Sequence, residues 1–259
     1  MQRLQQGQIC RLRFMQNILP PFAFFKRIFA GQAPRIKRRN PMNHLHQPHV
    51  QKLLACLHDR GNAADKAVQP RTEALRRAGP AHVDLAEMAA CNAVAWWPVS
   101  PETGKILYML TRIKRPQRIV EFGTSHGLAT IYMAAALEDN SFGELISCEY
   151  VPEKAADARQ NLAGAGLSHR AEIRTGDAMT QLPGTGPVDM LFLDGDKRLY
   201  LPLLQKLKPE LAAGALVIAD DTDVLAEALQ PFLAAVRAFP GWITTPLPVD
   251  DGLSLSICP

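Results

Sequence analysis

The sequence predicts an α/β fold: a doubly wound, seven-stranded sheet, mostly parallel with the last strand antiparallel, preceded by a section of helices. Two observations carry this expectation. Beyond residue 117, short apolar runs alternate with long stretches of helical period, the pattern of strand, crossover helix and parallel strand. The final two runs have no helix between them, which reverses the last strand. At 259 residues, with 47% hydrophobic and 21% charged content, the chain can bury a full core, which excludes a disordered or fibrous protein.

The N-terminus differs from the rest in charge. Nine of the 29 Lys and Arg residues (Arg3, Arg11, Arg13, Lys26, Arg27, Arg35, Lys37, Arg38, Arg39) lie in residues 1–41, and the first acid is Asp59. Residues 42–259 therefore hold 20 basic against 25 acidic residues. The leader permits three readings: a targeting peptide, a basic arm for nucleic acid or anionic lipid, or translated sequence upstream of the true start. The last is preferred, because composition shifts abruptly at Met42 and the cluster "RIKRR" has no interleaved aromatic platform for bases. Residues 1–41 are thus expected to be a leader and residues 42–259 one domain, with a helical section over 42–99 and the sheet over 100–259.

Five scattered cysteines without a CxxC pair argue against a disulfide framework or a zinc site and suit a reducing cytoplasm. The most apolar piece of the leader, "ILPPFAFF", is short and broken by Pro20 and Pro21, so no membrane span is expected.

The first helical patch comprises Val50, Leu53, Leu54 and Leu57; after an isolated Leu75, the second comprises Leu85, Met88 and Ala89. "PETGKILYMLTRIK" follows with Ser100 as N-cap, Pro101 in the first turn, and Leu107, Leu110 and Ile113 on one face. Next come "RIVEF", "ATIYMAAAL", "ELISCEY", "PEKAADARQNLAGAG", "AEIRTG", "VDMLFLD", "LYLPLLQKLKPEL", "ALVIAD" and "VLAEALQPFLAAVRAF", strand and helix in turn. "WITTPLPV" and "LSLSIC" close the chain, joined by the turn signal "DDG".

In such a sheet ligands bind beyond the carboxyl ends of the strands. The first strand ends in "VEFGTSHGLAT", where Gly123 and Gly127 frame a tight turn into a helix and Glu121 sits inside the strand end. This is not the G-x-G-x-x-G of a dinucleotide site, and a purely structural turn reads nearly as well. Glu149 closes the second strand, where a ribose diol would sit; a solvated loop glutamate is the alternative. Asp177 in "RTGDAM" could accept from an adenine amine or cap a helix.

Asp194 closes the fourth strand, and Asp220 with Asp221 closes the fifth, so the three carboxylates converge at one edge. Like charges this close repel unless a cation sits among them, and hard oxygen ligands suit Mg²⁺, or its relatives Mn²⁺ and Ca²⁺. Lys197, three residues past Asp194, can point to the same place. The competing reading makes Asp196, Asp221 and Asp223 helix caps and pairs Lys197 with one of them. His44, His46 and His49 read better as a solvated terminal cluster than as metal ligands. His126 could touch the cofactor or serve as a spacer. Trp96 and Trp97 could be lids over an aromatic substrate or packing residues, and Tyr200 is expected to pack against the sheet.

From about Ser100 to Cys258 the chain resembles the class I S-adenosylmethionine-dependent O-methyltransferases of the divalent-metal group that includes catechol and caffeoyl-CoA O-methyltransferases. The pieces are "VEFGTSHG", "CEYVPEKAADARQNLAGAGL", "TGDA", "LFLDGDKRLY" and "ADD", in the family's order. The resemblance implies a Rossmann-like sheet, with Glu121, Gly123, Thr124, Ser125 and Gly127 around the methionine part of the cofactor. It also implies Glu149 on the ribose, Asp177 and Ala178 near the adenine, and Asp194 both beside the cofactor and, with Asp220 and Asp221, on the metal. Lys197 would take the proton from the hydroxyl of a small, hydroxylated aromatic acceptor. The runners-up are a metal-independent methyltransferase and a cofactor-binding interaction domain without turnover; a dinucleotide dehydrogenase is more distant. A homodimer would match related enzymes. Three departures stand out: Asp221 replaces the family's Asn, Ser254 replaces a substrate-binding glutamate of the catechol enzymes, and Ala129 replaces a common hydroxyl residue.

Overall fold

The apolar runs and helical stretches become strands and helices in the expected order in the computed structural model. It describes residues 43–78 and 85–259, apart from the side chains of residues 75–89. The basic leader lies outside the described residues, as does the packing expected of Leu75, Leu85, Met88 and Ala89. The helical section consists of α1 (Pro48–Ala78), α2 (Leu85–Val94) and α3 (Pro101–Lys114). Then follow β1 (Arg118–Phe122), α4 (Leu128–Asn140), β2 (Glu144–Glu149), α5 (Pro152–Gly164), β3 (Ala171–Thr175), α6 (Ala178–Gln181) and β4 (Val188–Leu193). The chain closes with α7 (Tyr200–Leu207), β5 (Leu211–Ala219), α8 (Ala226–Ala238), β6 (Ile243–Leu247) and β7 (Leu253–Ile257). Ser100 caps α3 by accepting from the Thr103 N–H, with Pro101 in the first turn.

The strands form one seven-stranded sheet in the order β3-β2-β1-β4-β5-β7-β6. Pairs among β1 to β5 are parallel, and β7 runs antiparallel to both its neighbours. Pro246 lies in β6, at the sheet's edge, where a strand tolerates a residue without an N–H. Alternate residues divide the core between the two faces. Ile119, Met190, Phe192, Leu216 and Ile218 pack with the helical section, α4 and α5. Val120, Leu191, Leu193, Val217 and Ala219 pack with residues of α7 and α8. Eleven of the thirteen residues of α4 are buried, because this helix is covered by the sheet on one side and by α1 and α3 on the other.

The register carries the site. Phe122 pairs with Leu193, Leu193 with Ala219, and Ala219 with Ser254. Hydrogen bonding continues one residue further, from Asp194 N–H to the Phe122 carbonyl (2.8 Å) and from Asp220 N–H to the Leu193 carbonyl (3.0 Å). Gly123, Asp194 and Asp220 therefore stand in one row on adjacent strands, spaced by roughly 4.8 Å.

Candidate active site

The winding reverses between β1 and β4, and the turn after β1 lies there. Gly123 has φ +96°, and a Cβ on it would stand 2.4 Å from the Asp194 carbonyl oxygen. No side chain fits there, so the backbone of the turn lies against the end of β4. Gly127 (φ +88°) starts α4 without a side-chain cap, leaving the first-turn N–H groups to the site. Ser125, between them, also adopts a left-handed conformation, φ +46°.

Glu149 is buried at the end of β2. Its carboxylate accepts from the Ser125 N–H (2.7 Å) and from the Val151 N–H (2.9 Å), so it joins the glycine turn to the second strand. Glu121 is fully buried; one oxygen accepts from the Thr130 hydroxyl (2.6 Å), and the other has no partner at hydrogen-bonding geometry. Burial pushes its pKa up to about 7, against the pull of the Ser147 and Thr130 hydroxyls. Thr124 is turned to the Ser147 hydroxyl (2.5 Å). Asp177 caps α6, accepting from the Met179 N–H (2.9 Å), and Ala178 is buried beside it. The cap competes directly with any bond from Asp177 to a ligand.

Across the switch point, Lys197 and the aspartates meet. The Lys197 ammonium lies 2.6 Å from Asp221 Oδ2, 3.5 Å from Asp194 Oδ1 and 2.6 Å from the Tyr200 hydroxyl. Asp220 Oδ1 accepts from the Asp221 N–H (2.8 Å), and Asp221 has φ +62°. Burial and the charge of Asp220 hold the Asp194 carboxyl well above the usual range. Burial and Asp221 push Asp220 up to about 7. Burial alone would lower the Lys197 pKa, but Tyr200, Asp194 and Asp221 together keep it well above its ordinary value. Among the described residues, no three His, Cys, Asp or Glu side chains are arranged as a metal-holding group; Lys197 is the cation that Asp194 and Asp221 touch.

The remaining residues sort clearly. Asp196 caps the turn after β4, as the competing reading held, and also pairs with Arg198. Tyr200 is buried against Phe122 and Phe232, and its bond to Lys197 was not foreseen. His44 is not loose: its N–H donates to Asp139 and its ring meets the Ala165 carbonyl at 2.9 Å. The Trp96 and His126 rings stack at 3.6 Å, while Trp97 is partly exposed at φ +45°. Ser254 is buried on β7 beside the end of β5. After Ala129, the hydroxyl of Thr130 goes to Glu121.

Lys154 and Asp250 were missed by sequence reasoning. Lys154 shares a helical stripe with Ala158 and Leu162, and a lysine on a buried stripe was the available signal. Asp250 accepts from the Ser100 N–H (3.1 Å), joining the turn between β6 and β7 to the start of α3. No local pattern announces that long-range bond.

A doubly wound sheet with a glycine turn and a buried acid at the switch point is a setting in which such folds bind nucleotide-type ligands. Comparison with known proteins narrows the class. A family model described as a methyltransferase domain matches residues 120–222. A catechol O-methyltransferase from Niastella koreensis is 37% identical over 201 residues, covering 67% of this chain and 90% of the relative. One from Mycobacterium tuberculosis is 33% identical over 142 residues, covering 53% and 64%. Among solved structures, an O-methyltransferase from Bacillus cereus in complex with SAH matches at TM-score 0.58 and 27% identity, covering 66% of this chain and 86% of that one. The chain belongs to the class I S-adenosylmethionine-dependent O-methyltransferases of the catechol and caffeoyl-CoA type.

Proposed function

We propose that this methyltransferase acts on a hydroxyl of a small aromatic acceptor, with Lys197 as base and a divalent cation held by Asp194, Asp220 and Asp221. The observation carrying the proposal is the convergence of Lys197 with the aspartates, 2.6 Å from Asp221 and 3.5 Å from Asp194. The donor set fits a hard cation, since it offers only carboxylate oxygens, and burial together with the charge of Asp221 pushes Asp220 up to about 7. When bound, Mg²⁺ or a relative would polarise the acceptor oxygen as a Lewis acid and offset the negative charge that now keeps Lys197 protonated.

Lys197, once unprotonated, would receive the acceptor's proton at Nζ, with the Tyr200 hydroxyl, 2.6 Å away, holding that nitrogen in place. The turn of Gly123, Thr124, Ser125 and Gly127 holds the methionine end of the cofactor, and Glu149 takes the ribose hydroxyls. Both act by orientation: they hold the methyl in line with the acceptor oxygen. Asp177, as a cap, has one remaining oxygen for adenine. Ser254 offers a hydroxyl in place of a carboxylate to a second acceptor hydroxyl, which favours monohydroxylated or methoxylated aromatics over catechol. A cytoplasmic location is part of the same proposal, supported by free Cys56, Cys91, Cys148 and Cys258. Among the described residues, no helix is long and apolar enough to cross a membrane.

The ion pair of Lys197 with Asp221 also favours a second reading, a metal-independent transfer in which the lysine stays charged. Calorimetric titration of S-adenosylmethionine with Mg²⁺ and with EDTA, followed by turnover of a phenol panel, separates the two. Transfer that survives EDTA removes the metal. Lys197→Ala should bind cofactor and lose transfer; unchanged turnover removes the base.

A further inference from the structure

The connection between α2 and α3 is held more firmly than a surface loop requires. The Trp96 N–H donates to Asp65 Oδ1 (2.7 Å) and the Trp97 N–H to Asp65 Oδ2 (3.0 Å). The Trp96 carbonyl accepts from the Ser125 hydroxyl (2.6 Å). The carbonyls of Asn92 and Ala95 accept from the Lys154 ammonium at 2.7 and 2.6 Å. The holders come from three places: α1, the glycine turn and α5. The Trp96 ring is also stacked on His126, and the Arg60 guanidinium lies over it, 4.8 Å from the centroid.

Lys154 is the unusual member. It is 6% exposed, and a buried ammonium is tolerated only where it is fully bonded. Its partners lie at the C-terminal end of α2, where a cation also meets the favourable end of the helix dipole. Packing alone would be served by alanine or leucine, the residues that occupy the rest of its stripe. A simple helix cap, however, would not explain what comes next along the chain. Residue 95 precedes Trp96, whose carbonyl holds the Ser125 side chain, while Glu149 holds the Ser125 N–H. Ser125 is thus gripped on both sides in a left-handed conformation that serine adopts at a cost.

We propose that Lys154 is a positioning residue for the cofactor: by fixing residues 92–97 it fixes Ser125, and with it the turn that receives the methionine end of S-adenosylmethionine. The inference rests on the assignment of Ser125 and Glu149 to the cofactor site. Lys154→Met keeps the side chain's length and removes its ammonium. Calorimetric titration of S-adenosylmethionine, run well below each protein's melting temperature, should give a dissociation constant about tenfold weaker than wild type, the scale of one lost charged hydrogen bond. Tryptophan emission should shift as Trp96 leaves His126. Asp65→Ala loosens the same backbone from α1, and it should weaken binding in the same direction.

A folded Lys154→Met variant that melts earlier but binds within threefold of wild type overturns the proposal and leaves only a helix cap. If that variant does not fold, Asp65→Ala decides by the same threshold. Wild-type protein that binds no cofactor would instead overturn the site assignment itself, before any variant is compared.

Discussion

Glu121→Gln is the perturbation whose magnitude follows most directly from the structure. Glu121 is fully buried at the end of β1, with one oxygen on Thr130 and the other unpartnered. Its carboxyl titrates at about 7 in the fold against an ordinary value of 4.5. Between those values the folded state keeps a proton that the unfolded chain releases. Stability contributed at this site therefore falls as pH rises from about 4.5 to about 7, and stays at the lower level above that. At about 1.4 kcal/mol per pH unit, the full loss is about 3 kcal/mol. Glutamine has no proton to lose and can keep the bond from Thr130. At pH 8 the variant should melt above wild type, by up to roughly 6–12 °C for a chain of this size, and at pH 5 most of the gap should close. Scanning calorimetry of both proteins at the two pH values measures it. An equal gap at pH 5 and pH 8 would refute the argument, because the benefit would then not come from removing a buried charge. Cofactor affinity should fall in the same variant, the usual exchange between stability and function at a site.

The other predictions concern the same edge of the sheet. Gly123→Ala should lower stability by more than about 2 kcal/mol and abolish cofactor binding by calorimetry, since its Cβ would meet the Asp194 carbonyl at 2.4 Å in a left-handed backbone. Asp220→Asn, measured in EDTA at pH 8, should raise the melting temperature, because it removes a carboxylate that burial and the charge of Asp221 oppose while keeping the oxygen that accepts from the Asp221 N–H. Tyr200→Phe should cost about 1.5–3 kcal/mol in denaturant melts and slow transfer without changing cofactor affinity, because it removes the hydroxyl 2.6 Å from Lys197.

What could be read from the chain was what repeats or ends abruptly. Apolar runs stopping at Asp194 and at Asp220 announced both strands and the carboxylates at their ends, because in a parallel sheet all such ends face one way. The glycine turn was visible for the same reason, and so was the hairpin around "DDG". The partners were not visible. Lys197 is bound to Asp221, Asp194 and Tyr200 together, and only the fold decides that the nitrogen reaches all three. Asp177 and Asp196 show the converse: each accepts a backbone N–H at the start of a helical turn, a local role that a sequence offers at almost any aspartate. Trp96 and His126 lie thirty residues apart and meet face to face. No periodicity spans such a distance.

The row formed by Gly123, Asp194 and Asp220 behaves as a ruler. The spacing of these three residues is set by backbone hydrogen bonds between strands, and no loop length enters it. The turn between β6 and β7 is tied to the end of the same row, with the Thr222 N–H donating to the Gly252 carbonyl (3.0 Å) and the Asp223 N–H to the Asp251 carbonyl (2.9 Å). Exchanging the connection over residues 95–100 would release the Ser125 hydroxyl from the Trp96 carbonyl and so loosen the turn that begins at Gly123. Any regrafting of the surrounding loops should therefore leave both the strand ends and residues 95–97 as the fixed frame.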